Sequence, residues 1–463
     1  MTSTEMSANA GPEQHSGLLA RLGLRTREHR AWGMYDWGIS GMQTVIMTSV
    51  FQIYFIDVAG RGHDNPLQWW SGANTVGAVI VALLAPILGA LADYAGIKKR
   101  FLALWTGVGA SAIAGMWFIH AGDLRMAAVL YIIALIGATA SMAFYESLLP
   151  HITRTDEMDR VSSGGYALGY LGGGILLLIN ILWIFNPQWF GLPSGEGLTA
   201  NEATLPTRLA FVSVAVWWVI FSIPIFKRVS EPARRLEADE KTGESPVRMA
   251  FVRLGETLRE LRGYKHAFLM LIAFMIYNDG IQTIIKMAAA YGTDLGIDRA
   301  ALIGSILIVQ FVGVPFAFLF GNLAGRIGAR NAIFLGLLVY VFISVLGYFM
   351  TTATHFFILA GLVGMVQGGT QALSRSLFAS MIPRHKSGEF FGFYSVFEKF
   401  AGIFGPLLFF VMLSASGSSR NAILSVILFF VLGAALLWRV DPKEGQRVAR
   451  LAEEETEVVG VSA

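Results

Sequence analysis

Twelve times along the chain, an apolar run of roughly the 20 residues needed to cross a hydrocarbon core is closed off by polar residues, Gly or Pro. The runs lie near 30–56, 68–92, 101–120, 125–149, 161–185 and 208–226, and again near 266–291, 300–324, 331–351, 355–381, 389–413 and 420–438. Charged residues make up 14% of the chain, well under the roughly 25% of a soluble domain, so the runs read as membrane spans and not as soluble cores. The expected fold is an all-α membrane protein with twelve transmembrane helices in two pseudo-symmetric six-helix bundles. The expected division is an N-terminal tail 1–29, a first bundle 30–226, a linker 227–265, a second bundle 266–438 and a tail 439–463.

The linker holds ten Lys and Arg residues. Within it Ser245 reads as an N-cap with Pro246 at the first helical position. Val247, Phe251, Leu254, Leu258 and Leu261 then recur at helical spacing between Arg248, Arg253, Arg259 and Arg262, the pattern of an amphipathic helix on a membrane surface. The first 20 residues are polar and small, without the basic-then-apolar order of a cleaved signal.

With the N-terminus placed in the cytoplasm, 27 of 35 Lys and Arg fall in cytoplasmic tails and loops, five fall in the opposite loops (Arg61, Arg125, Arg208, Arg299, Arg420) and three inside spans. The positive-inside rule then puts both termini in the cytoplasm, and the compact loops point to a bacterial inner membrane. A net charge of +3 gives no nucleic-acid footprint, and the absence of Cys excludes disulfides, thiolate metal sites and cysteine nucleophiles. Without an HExxH, GxSxG or Walker pattern, no enzyme, cofactor or metal is expected.

The halves resemble one another. GALADYAGIKKR at 89–100 aligns with GNLAGRIGARNA at 321–332, and SLLPHI at 147–152 falls opposite SLFASMIP at 376–383. Two halves of like orientation suit a transporter that rocks one against the other. The first of these loops resembles the signature of the major facilitator superfamily. Together with YDWGIS at 35–40, FYESLLPHI at 144–152, YALGYLGGG at 166–174, YNDGIQT at 277–283, GGTQALSRSLFASMIP at 368–383 and FFGFYSVFEKFAGIFGP at 390–406, it is similar to the autophagy-related vacuolar amino-acid effluxers and their bacterial relatives. The resemblance implies a twelve-helix facilitator fold and solute transport, with amino-acid export in the fungal members. It also implies that Asp93 in the signature loop caps a neighbouring helix or meets a basic residue when the protein faces outward. The superfamily's antiporter signature in the fifth helix carries a Gly-Pro pair that GYLGGG lacks, so antiport is left open.

A charge at mid-bilayer costs at least about 2.5–3.5 kcal/mol unless paired or wet, which makes every charge inside a span a candidate site residue. Asp279, Gln282 and Lys286 share one face of the seventh helix, beside Tyr277 and Asn278. Asp279 near mid-span suits a substrate ammonium or a proton, and the alternative is an internal ion pair with Lys286. On the first helix Asp36 and Gln43 lie on one face, Asp36 nearer the cytoplasm as a gating residue and Gln43 deeper as a substrate contact. Gln367, Gln371 and Arg375 line one face of the tenth helix. Arg375 and its repeat mate Glu146 carry opposite charge at corresponding places and are expected to close an inner gate together. Glu398 and Lys399 point about 100° apart, so one of them faces the cavity. Gly165, Gly169 and Gly173 form a groove for a neighbouring helix.

The chain therefore reads as a secondary transporter of a small amino-acid-like zwitterion or organic anion, working by rocker-switch alternating access. Protons are a candidate coupling ion, the partners are a small-molecule solute and the lipid bilayer, and the expected state is a monomer. The alternatives are a carrier of larger amphiphiles, such as peptides, cell-wall fragments or lysolipids, and a membrane sensor on a transporter scaffold.

Overall fold

Polar caps and glycines cut the apolar runs into helices. Thr26 accepts from the His29 backbone N–H to open the first helix, Thr352 does the same for His355 in the tenth, and Thr199 with Glu202 forms a reciprocal capping box at the start of the sixth. The structure is a computed structural model that describes residues 23–64, 66–232, 259–297, 299–402 and 404–461. The first six membrane helices are α1 (Arg27–Ala59), α2 (Pro66–Ala95), α3 (Lys98–Gly115), α4 (Leu124–Ser147), α5 (Met158–Phe185) and α6 (Ala200–Arg228). The second six are α7 (Lys265–Asp294), α8 (Arg299–Ile327), α9 (Ala329–Tyr348), α10 (Ala353–Ala379), α11 in two pieces (Ser387–Phe400 and Phe404–Ser416) and α12 (Ser419–Trp438). A polar helix, α13 (Pro442–Val461), follows. Among the described residues, ten helices are individually long and apolar enough to span a membrane, while α2 and α11 contribute shorter apolar pieces, Gly72–Val81 and Phe404–Ser416.

Six crossings return the chain to the face it started from. Ser230, after α6, donates to Glu28 at the start of α1, and the Asp441 N–H after α12 donates to His266 Nδ1 at the start of α7. We call this the terminal face and the opposite one the far face.

Four elements differ from the sequence expectation, the first being α1, expected to be continuous over 30–56 but broken at Thr48–Ser49. α6 begins at Ala200 and not near 208, because the capping box turns a polar stretch into helix. The eleventh helix, expected to be continuous over 389–413, breaks at Ala401–Gly402, with Gly402 at φ 93°, a conformation that a side chain disfavours. The stretch 439–463, expected as a tail, is helical from Pro442: the Gln446 side chain donates to Ser380, the Arg384 N–H donates to Glu453, and Gly445 packs on Met381. A search for apolar runs passes over such polar helices. Most of the amphipathic helix expected around 245–262 lies outside the described residues, as does the N-terminal tail through residue 22.

The small-residue face of α5 holds α1 at very short range. A Cβ on Gly165 would meet Trp32, one on Gly169 would meet Ser40 and Asp36, and one on Gly173 would meet Thr44. The other side of α5 runs along α8 of the second half, where Gly313 packs on Tyr170 and Gly321 on Ser163. The halves also meet where the first piece of α11 lies along α2 and α4, and where α10 touches α5.

Candidate functional site

Arg375 enters from α10 and ends, fully buried, inside the first half. Its Nε donates to the Ser162 hydroxyl and its Nη2 to the Ser162 carbonyl, both at 3.0 Å. Nη1 stands 3.6 Å from Asp36 Oδ2 and 3.8 Å from Glu146 Oε1. The guanidinium plane is enclosed by the rings of Tyr166 at 4.4 Å, Trp32 at 4.8 Å and Tyr145 at 5.7 Å, and the Tyr145 hydroxyl donates to Asp36. Three of the four residues assigned to gating, Asp36, Glu146 and Arg375, thus stand together. The side chain of Asp93 lies outside the described residues.

Further bonds join the halves on the same side. Ser162 donates to the Ala372 carbonyl, and Ser376 donates to Asp159. Lys98, from the signature loop, donates to Ser387 at 2.7 Å and approaches His151 Nε2 at 3.0 Å, while the Ser387 hydroxyl also donates to the Ser147 carbonyl. Sequence reasoning missed Ser162, Asp159, Lys98, His151 and Ser387 as partners. Serine carries no charge to mark it inside a span, and Lys98, His151 and Asp159 fall just outside the expected runs 101–120, 125–149 and 161–185, although Tyr145 and Tyr166 lie inside the motifs FYESLLPHI and YALGYLGGG.

Away from these contacts burial falls along the same helix faces. On α1, Asp36 is buried, Ser40 half-buried and Gln43 exposed. On α7, Tyr277 and Asn278 are buried, Gln282 is half-buried and Lys286 exposed. α10 runs the opposite way and shows the reverse order, with Gln367 half-buried and Gln371 and Arg375 buried. Tyr277 is hydrogen-bonded to Ser374, and Gln371 donates to Asn278 at 2.6 Å, so these candidates brace α7 against α10 and do not line an open surface. Glu398 is half-buried; the side chain of Lys399 lies outside the described residues.

Asp279, the leading sequence candidate for substrate, is occupied otherwise. Its Oδ1 accepts from the backbone N–H groups of Gly402 at 2.7 Å and Gly405 at 2.9 Å, and its Oδ2 accepts from Phe404 at 3.1 Å. The carboxylate caps the second piece of α11, where a broken helix presents unpaired N–H groups and positive dipole. Lys286 completes the joint by donating to the Gly402 carbonyl at 3.2 Å.

Two sets of six helices that meet in this way match solved structures. The chain superposes on the transporter FucP in its outward conformation with a TM-score of 0.66, over 91% of this chain and 100% of that one at 15% identity. On the proton:xylose symporter XylE the TM-score is 0.64, over 91% and 95% at 13% identity. The fold is that of the major facilitator superfamily. Within it, residues 73–450 match the family described as vacuole effluxer Atg22 like, and the chain belongs to that family. The MFS-type transporter YxiO of Bacillus subtilis, itself named uncharacterized, is 35% identical over 415 residues, covering 89% of this chain and 94% of that protein. Autophagy-related protein 22 of Yarrowia lipolytica is 26% identical over 332 residues, and autophagy-related protein 22-1 of Aspergillus fumigatus is 27% identical over 325. Each alignment takes in 65% of this chain but only 53% and 51% of the fungal protein, so the chain spans about half the length of these fungal relatives.

Proposed function

We propose that the chain is a secondary transporter that moves a small solute of amino-acid type, a zwitterion or organic anion, through the space between its halves by alternately closing the two faces. The graded burial along α1, α7 and α10 carries this reading: a path blocked at Arg375 and open at Gln43 and Lys286. The positive-inside asymmetry makes the terminal face cytoplasmic, so the state is outward-open. Rocking the halves apart would withdraw Arg375 from Asp36 and Glu146 and open the inner side. Lys286, exposed on α7, supplies a cation for a solute carboxylate, and the two buried acids supply groups on which a coupling proton could ride. The family's description as effluxers and the MFS-type name of YxiO support transport as the activity.

The test is thermal unfolding of the purified protein against amino acids, dipeptides and organic acids, since a ligand at 100 times its Kd stabilises by about 2.7 kcal/mol. A shift with a zwitterion or organic acid that disappears in Lys286→Gln is the expected result. Silence across the panel, with a shift from lysolipids or longer peptides, would overturn the small-solute reading.

A further inference from the structure

α1 changes its winding as it crosses the membrane. Arg27–Gly41 is α-helical, Met42–Met47 winds as a π-helix, and the ladder breaks at Thr48–Ser49 before a new α-helical piece, Val50–Tyr54. Neither Gly nor Pro occurs between Met42 and Tyr54 to cause this. Side chains make the break: the hydroxyls of Thr48 and Ser49 both donate to the Thr44 carbonyl, at 2.9 and 2.6 Å, where a continuous α-helix would bring the Thr48 N–H. The Thr44 hydroxyl accepts from Gln310 of α8 at 3.1 Å, which fixes one side of the turn against the second half.

Irregular backbone at membrane depth persists only where protein buries it or water lines it. Here Gln43 and Thr48 are exposed, and Gln43 continues the face that starts at Asp36, so the turn borders the space between the halves. Two helix ends of opposite polarity meet at the break, because Val50–Tyr54 begins there with its N–H groups uncapped by a side chain. Met42–Met47 ends in carbonyls, the negative end of the peptide dipoles. Gln43 and Thr48 add acceptor oxygens, and no Lys or Arg occurs between Arg30 and Arg61.

We propose that this interrupted turn is the docking point for the ammonium end of the solute, held by the carbonyl end of Met42–Met47 with the Gln43 and Thr48 oxygens. Lys286 then meets the anionic end. The proposal rests on the reading that the solute travels between the halves, and it names the group that meets each wall of that path.

The chain has no Cys, so single cysteines can measure the local potential without a known ligand. Gln43→Cys, Thr48→Cys, Gln282→Cys and, as an exposed far-face reference, Ser194→Cys are each reacted with a trimethylammonium-ethyl and a sulfonatoethyl methanethiosulfonate. The cation-to-anion rate ratio, normalised to Ser194→Cys, is expected to rise roughly fivefold at 43 and 48 and to fall below one at 282, beside Lys286. Gln43→Cys keeps both hydroxyls of the break and decides the question if Thr48→Cys does not fold. A ratio at 43 and 48 no higher than the reference overturns the proposal, as does a preference that vanishes in a Glu398→Gln background, which would assign it to that carboxylate. Unreactive cysteines at 43, 48 and 282 beside a reactive Ser194→Cys would instead overturn the open path itself.

Discussion

A guanidinium gripped by Ser162 and wrapped by three rings differs from a point charge in the same place. Lysine at 375 keeps the charge beside Asp36 and Glu146 but loses the paired bonds to Ser162 and the planar stacking. Arg375→Lys is therefore expected to unseal the terminal face: a cysteine at Ala372, buried in the native protein, should become reactive toward an impermeant maleimide applied from that side. An unreactive Ala372→Cys in the Arg375→Lys background would show that the seal does not depend on the guanidinium. Asp279 leads to the opposite kind of prediction. With both oxygens committed to the N–H groups of α11, Asp279→Asn should lower the free energy of unfolding by about 1–3 kcal/mol for a buried cap left partly unmade, read as a lower unfolding midpoint. The additional shift produced by a bound solute should stay intact. Loss of the solute shift alone would return Asp279 to the binding path.

At the scale of helices, the spans were legible because a 20-residue apolar run has few other uses, and the glycines of α5 announced a close-packed face. Their partner is α1, and the contact is tight enough to test. Gly173→Ala would push a methyl onto the Thr44 hydroxyl, at 2.6 Å, and should cost about 1–3 kcal/mol in a thermal or denaturant titration. Gly107→Ala on α3, where a Cβ meets nothing within 4 Å, should be neutral or slightly stabilising. Equal effects at the two positions would mean that helix propensity outweighs packing. The interruptions of α1 and α11 could not be read from sequence. Gly402 sits in a run where glycine could equally continue a helix, and the partners of Asp279 are backbone amides, which carry no sequence signature. Charge alone therefore marks Asp279 as important without naming the backbone amides that hold it, whereas the repeat pairs Glu146 with Arg375, and only depth in the first helix places Asp36 near them.

For the whole molecule, closure of the terminal face depends on contacts that cross from one half to the other, and those contacts must part in every cycle under the proposed mechanism. Joining Lys98→Cys to Ser387→Cys with a short cleavable bis-maleimide should stop solute flux in proteoliposomes, and cleaving the linker should restore it. Unchanged flux in the linked protein would mean that the halves need not separate there. The duplicated halves are also unequal in one respect. α1 is interrupted while its repeat counterpart α7 runs unbroken over Lys265–Asp294, and α11 is interrupted while α5 is continuous over Met158–Phe185. Each half keeps one stiff member of the pair and one jointed member, but at non-matching positions. Under the proposed rocking motion the first half therefore flexes at α1 and the second at α11. The two halves do not share a hinge, so a substitution that stiffens one joint should leave the bending of the other half untouched.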